Sequence, residues 1–230
     1  MTGEQLLVGR EKKGWNQAQA ARHLGVSQPY LSLLERGERR VPERLARKAT
    51  DVYGLSAAAL PLEAASEELR TAGRETLAKD LAALGYPGLA YLGTHRRKRN
   101  PAEVLLSGLN TADLDSRLVE GLPWVVWNFP DVDWRWVTRV AKLNDLQNRL
   151  GFVTDVARRI AEKHGEEEKA KLLAERAAEL ERSRLAHEDT LCHESLTKAE
   201  RRWLREHRSA EAEHWGLLTD LSPEHLSYAA

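Results

Sequence analysis

Apolar residues recur along most of the chain at intervals of three and four. No stretch shows sustained apolar/polar alternation bounded by turn residues, so the pattern predicts an all-α fold. Residues 1–60 are cut into short segments by Gly14, Gly25, Gly37, Pro42 and Gly54, each placed where a helix would stop or restart, which predicts a five-helix bundle. Glu63 to Leu84, carrying Leu69, Leu77, Leu81 and Leu84, reads as a helix ended by Gly85-Tyr86-Pro87-Gly88 and as a link between two halves. Asn100-Pro101 caps and opens a helix toward Leu109. Asp113 to Glu120, Asp133 to Ala141 and Asp145 to Lys163 predict three more, each with an acid near its start that suits the helix dipole. Glu166 to His187 reads as a charged helix with an incomplete apolar stripe, Leu172, Leu173, Ala177, Leu180 and Leu185. Short helical segments follow around Trp203 and Trp215. Three parts result: a bundle over 1–60, a helical linker and basic loop over 61–99, and a helical domain over 100–230 for dimerisation or partner binding.

Composition narrows the class. The chain has 42% apolar and 30% charged residues, the balance of a water-soluble globular protein rather than a fibre or a disordered tail. The single cysteine, Cys192, cannot form an internal bridge, and Met1 is followed by Thr-Gly-Glu rather than a leader, which leads us to expect a cytoplasmic protein. The most apolar run, Leu122 to Phe129, contains Pro123 and Asn128, so no membrane span is expected. A formal net charge of zero conceals a gradient: residues 1–60 carry ten Lys/Arg against six Asp/Glu, a balance of +4, whereas 165–230 carry ten against fifteen, a balance of −5. A basic front suits phosphates and an acidic rear would be repelled by them.

The densest local signal is Gln17 to Arg36, QAQAARHLGVSQPYLSLLER, which reads as two helices joined by a tight turn at Leu24-Gly25-Val26. Ala21 is small where helices cross, and Gly25 stands where a positive φ is needed. Ala20, Leu24, Val26, Leu31 and Leu34 point to one core, and Ser27 caps the second helix. Pro29 lies in the first turn, where its missing N–H loses no intrahelical partner.

These residues resemble the helix-turn-helix family of phage repressors, Cro proteins and xenobiotic-response-element regulators, a resemblance that covers residues 4–60. It implies a five-helix bundle that binds double-stranded DNA. It also implies that Gln17 holds a phosphate, that the first residues of the next helix enter the major groove, and that Arg10 pairs with Glu35. A helix N-terminus favours a phosphate at Gln17, and Gln28 can offer an adenine edge a donor and an acceptor together. On the outer face, Tyr30 could reach a phosphate, Ser32 a base or backbone oxygen, and Leu33 a thymine methyl group. Many relatives have a basic residue in place of Leu33, which shifts part of the expected specificity to DNA shape. Arg36, Arg39 and Arg40 would hold the backbone. Ser27 completes the expected DNA-binding set as the cap.

One such unit reads few base pairs, so a homodimer on a palindromic operator is expected, with half-sites about 34 Å apart. Trp124, Trp127, Trp134 and Trp136 are candidates either for that interface or for the core of the second domain. Asn100 to Leu106 (NPAEVLL) and Lys142 to Phe152 (KLNDLQNRLGF) resemble regulators of bacterial toxin–antitoxin operons whose toxins are similar to abortive-infection nucleotidyltransferases. That resemblance implies a self-regulating antitoxin that covers its cognate toxin. The other reading is a stand-alone repressor with a small-molecule site in the second domain. Within the run His95 to Arg99, Arg96 to Arg99 could be a second phosphate contact, a partner-binding loop or a solvated tether. His187, Cys192, His193, His207 and His214 lack metal-ligand spacing, Asp131 and Asp133 read as caps beside Trp134, and Cys192 has no histidine base placed for it. No cofactor, metal or catalytic residue is therefore expected, and the chain is not expected to be an enzyme.

Overall fold

The computed structural model describes residues 1–62, 69, 73–93 and 97–229. The chain divides into two compact units, Met1–Ala65 and Ser66–Ala230, and among the described residues regular structure is almost wholly helical. The first unit contains α1 (Gly3–Lys12), α2 (Gln17–Leu24), α3 (Gln28–Glu35) and α4 (Glu43–Tyr53). A 3-10 turn at Ala57–Ala59 stands where a fifth helix was expected. Leu6, Ala20, Leu24, Leu31, Leu34 and Ala49 form the centre of its core, and Val26 and Tyr30 pack against that centre while half-buried.

The second unit begins with α5 (Arg74–Leu84) and α6 (Pro101–Leu109). Leu77 and Leu81 are 0% exposed and pack beside Gly108 and Gly121, where added Cβ atoms would meet their methyls. The segment expected to link two halves is thus part of this core, because its leucines have apolar partners thirty or more positions away. The N-terminal stretch of that expected helix, before Gly73, lies outside the described residues apart from Leu69. Asn100 caps α6 by accepting a hydrogen bond from the Ala102 N–H at 2.9 Å.

Helix α7 (Ser116–Asn128) starts after Asp115, whose carboxylate accepts from the Leu118 N–H. Asp113 instead sits at φ 51° and accepts from the Ser195 N–H and hydroxyl, both at 2.9 Å. The helix continues through Pro123, beyond the expected end at Glu120. Proline in a helix interior costs about 3 kcal/mol. Leu122, Trp124, Val125 and Val126, all buried on continuing, offset that at roughly 1.5–3 kcal/mol per large apolar side chain.

Then come α8 (Trp134–Leu143), capped by Asp133, and the central α9 (Gln147–Lys163), which packs against α7 and against α10 (Glu167–Glu181). Helix α10 ends six residues before the expected His187. Asn148 on α9 captures the chain beyond it: its side-chain amide donates to the Leu185 carbonyl at 3.0 Å and its oxygen accepts from the Leu185 N–H at 2.8 Å. Two further helices, α11 (Lys198–His207) and α12 (Ala210–His214), follow, and the two-residue strands β1 (Asp189–Thr190) and β2 (Leu217–Leu218) pair in parallel.

Three more residues of α9 fasten this last segment. Arg149 donates to both carboxylate oxygens of Asp189, at 2.7 and 3.0 Å, and to the Leu109 carbonyl at 2.8 Å. Gly151 leaves room for the Trp215 ring, whose nearest atom would lie 2.3 Å from an added Cβ. The Trp215 indole N–H donates to Asp155 at 2.6 Å.

Burial of Asp189 opposes its ionisation, yet the Arg149 guanidinium overrides that and holds the carboxyl below its ordinary value. A depressed carboxylate contributes stability that is present above its unfolded pKa and lost as pH falls through the folded value. Asp189→Asn should therefore lower the urea midpoint at pH 7 and flatten its fall below about pH 4. Parallel curves for the two proteins between pH 7 and pH 3 would show that the pair contributes no such stability.

Candidate nucleic-acid interface

The turn that sets the interface is locally encoded at both ends. Asn16 caps α2, accepting from the Gln19 N–H at 2.9 Å, while the Gln19 side chain accepts from the Asn16 N–H at 2.9 Å. Gly25 ends α2 at φ 74°, a left-handed conformation that glycine adopts without steric penalty. The Ser27 hydroxyl accepts from the Tyr30 N–H at 3.3 Å, and Pro29 lies in the first turn of α3. Lys48 on α4 donates to the Leu24 carbonyl at 2.9 Å, satisfying a carbonyl at the end of α2.

Four of the expected residues form one connected set. Arg10 on α1 donates to Glu35 at the end of α3 through Nε (2.7 Å) and Nη2 (3.2 Å), and through Nη1 to the Trp15 carbonyl at 2.9 Å. The Glu35 side chain is 2% exposed and that of Arg10 12%. Its hydrogen bond with Glu35 raises the Arg10 pKa, outweighing burial. Gln17 donates to Glu35 at 2.9 Å and accepts from Gln28 at 2.8 Å. The chain Gln28 to Gln17 to Glu35 to Arg10 therefore ties the first residue of α3 to its last by way of the first residue of α2.

This changes what Gln17 can do. Both ends of its side-chain amide already have protein partners, so a phosphate would be met by its second side-chain N–H or by the backbone amides of the α2 N-terminus. Gln28 is exposed. It gives one N–H to Gln17 and keeps its other N–H and its carbonyl oxygen, the pair that an adenine edge requires.

Gln28, Ser32 and Arg36 follow one another at four-residue spacing and so share one face of α3 and its C-terminus. Arg36 donates to the Ser32 hydroxyl at 2.6 Å and forms an ion pair with Glu38. Both partners of this pair are exposed, and each holds the other ionised: Arg36 is raised and Glu38 lowered from its ordinary value. For Arg36 to meet a phosphate, it must exchange Glu38 for it. Arg39 and Arg40 are exposed and form no ion pair among the described residues. Leu33 is half-buried, and Tyr30 is turned partly onto the core.

Sequence reasoning missed three residues of this region. An added Cβ at Gly3 would lie 2.2 Å from the Leu34 carbonyl oxygen, so α1 and the end of α3 approach backbone to backbone. Lys48 left no local signal. Glu38 was legible as the one acid in the run Arg36-Gly37-Glu38-Arg39-Arg40.

The tryptophans are placed within the second unit. Trp124 and Trp134 are each 6% exposed. Trp124 packs with Tyr86 and Phe129, and the Trp134 indole N–H donates to the Pro130 carbonyl. Half-buried Trp127 donates to Glu166 at 2.6 Å and stacks with His164, with Lys169 over its ring, while Trp136 is half-buried. Core packing accounts for the first two and leaves them no surface for a partner.

Cys192 is buried, and burial pushes its thiol up to about 12. Among the described residues no three His, Cys, Asp or Glu side chains gather as a metal site, and no helix is long and apolar enough to cross a membrane. Of the basic run, residues 95 and 96 lie outside the described residues. Arg99 turns inward to Asp80 at 3.0 Å and to Glu103 at 3.7 Å, which removes it from a solvated tether.

Residues 3–62 match a family described as a helix-turn-helix domain. No curated protein and no solved structure matches the chain. The first unit is thus a helix-turn-helix domain, the DNA-binding part of a transcription regulator.

Removing one partner of a buried ion pair costs roughly 3–5 kcal/mol, whereas replacing both with apolar residues is often neutral. Arg10→Met should accordingly lower the unfolding free energy by about 3 kcal/mol, and adding Glu35→Leu should recover much of it. Denaturant titration of the two variants checks both, and an undiminished Arg10→Met protein would show that Glu35 does not depend on its partner.

Proposed function

We propose that the chain is a sequence-specific repressor that binds a palindromic operator as a homodimer, with no catalytic role, and that it acts in the cytoplasm. The observation that carries this reading is the hydrogen-bonded series from Gln28 through Gln17 and Glu35 to Arg10. It holds the recognition helix against its neighbours while leaving one donor and one acceptor of Gln28 for a base edge. Exposed Arg39 and Arg40, and Arg36 once released from Glu38, supply the sequence-independent phosphate term. Dimerisation supplies the affinity that a single short recognition helix lacks.

Two readings of the second unit follow. The resemblance of residues 100–106 and 142–152 to regulators of toxin–antitoxin operons, with the acidic balance of residues 165–230, supports an antitoxin that represses its own operon and covers a toxin with a basic substrate site. A cavity in the second unit favours the other reading, a repressor that answers to a small molecule. Native mass spectrometry of the protein purified from its own host separates them. A second polypeptide in fixed proportion, toxic when expressed alone and relieved by this chain, establishes the antitoxin; a bare dimer leaves the effector reading.

The DNA claim is tested on a site selected from random duplexes. Gln28→Ala should cost about 1–3 kcal/mol on that site and relax the preference at one base pair, whereas Gln17→Ala, which also releases the Gln28 amide, should weaken random DNA as well as the selected site. Because the two amides bond to each other, the double variant should lose less than the sum of the singles. Equal losses on selected and random DNA for both single variants would refute base reading by Gln28.

A further inference from the structure

The second unit holds a solvent-open cavity of about 440 Å³, within the range of roughly 300–1,000 Å³ typical of small-molecule sites. Leu114, Val119, Leu191, Leu218 and Leu221 supply apolar walls, all of them buried. Helix α11 contributes Trp203 and Leu204 to the lining, yet it contains no buried residue, and Trp203 is 50% exposed. An amphipathic helix normally buries its apolar face. This one rests its apolar side chains beside a space that no group of the described residues fills, with its N-terminus secured by the Thr197–Glu200 capping box.

The polar lining is of one sign. Among the described residues, Glu120, Asp220 and Glu200 line the cavity with His193 and His225, and no lysine or arginine does. Glu200 spends an oxygen on the Thr197 N–H and hydroxyl. Glu120 and Asp220 have no hydrogen bond or ion pair from their carboxylates among the described residues. The cation nearest in sequence to Glu120, Arg117, lies over the Tyr91 ring, 5.9 Å from its centroid. Burial raises the Glu120 carboxyl above its ordinary value, with Arg117 opposing and Asp115 reinforcing the shift. A half-buried carboxylate without a partner is an incomplete arrangement, and an incoming cation would complete it.

We infer that this cavity binds a small organic amine, its apolar body against the leucines and Trp203 and its ammonium group between Glu120 and Asp220. Trp203 stacks one face of its indole on His207, and its other face and edge offer apolar area and an aromatic surface attractive to a cation. A carboxylate-bearing metabolite would meet the carboxylates of half-buried Glu120 and exposed Asp220. The inference deepens the effector reading of the second unit by naming the ligand class, and it rests on the cavity and not on the DNA-binding residues.

Phenethylamine, its neutral isostere 2-phenylethanol and its anionic counterpart phenylacetate test this on the full chain, by calorimetry and by melting temperature. Phenethylamine should bind at least about tenfold more tightly than the alcohol and raise the melting temperature, and phenylacetate should do neither. In the Glu120→Gln/Asp220→Asn variant, whose melting without ligand checks folding, the preference of amine over alcohol should collapse. Equal binding of amine and alcohol, an unchanged preference in the variant, or no binding by any of the three would overturn the inference. Operator affinity is measured in the same samples. Amine binding that leaves operator affinity unchanged removes the effector reading but keeps the site, whereas an empty cavity with intact operator binding removes the site alone.

Discussion

The buried charge of Glu35 is the constraint on which the DNA-reading unit depends. Leu6, Leu31 and Leu34 would hold α3 in place by burial alone, but the hydrophobic effect has no direction and tolerates small rotations of a short helix. A carboxylate that is 2% exposed must be met by donors at fixed geometry. Arg10 and Gln17 meet it from two other helices. The same contacts extend to Gln28, so the side chain best suited to read a base is oriented by the group that anchors the far end of its own helix. The structural role of Glu35 and the recognition role proposed for Gln28 are joined in one set of hydrogen bonds.

The second unit solves a comparable problem with different residues. Its central helix α9 carries Asn148, Arg149, Gly151 and Asp155 within little more than two turns, and together they fix three places in the segment from Leu185 to Trp215: Leu185, Asp189 and Trp215 itself. That segment has little regular structure of its own beyond two short helices and a two-residue strand pair. Its path is set from outside, by groups on the largely buried N-terminal part of α9. Placement of β1 and β2, and with them Leu191 and Leu218 in the cavity wall, follows from those four positions.

Much of the architecture was legible because it is encoded by neighbours in sequence. Asn100, Asp133 and Ser27 cap helices by bonding to amides two or three residues on, and Gly25 ends α2 through its own backbone preference. What was not legible depended on distant partners. The reach of α10 was overestimated because Asn148, thirty-seven residues away from Leu185, takes hold of the chain. Helix α7 passes through Pro123 because neighbours bury the side chains around it. Likewise α5 reads as a linker until Gly108 and Gly121 provide surfaces for its leucines. At the candidate interface, Gln17 and Gln28 could be identified by residue type and position. The bond between them could not, because it requires two helices to be placed first.

The fastening of the C-terminal segment to α9 also sets an order of events during synthesis. Every partner of the Glu35 charge lies at or before residue 35, so the DNA-reading unit has all its own contacts soon after residue 62 leaves the ribosome. Arg149 and Asn148 emerge without Asp189 and Leu185, and Gly151 waits for Trp215. At roughly 5–20 residues per second, those partners arrive seconds later. A nascent chain therefore completes the hydrogen bonds of its helix-turn-helix unit seconds before the C-terminal segment is fastened to α9, and the earliest folded species on the ribosome is the helix-turn-helix unit without the finished second unit.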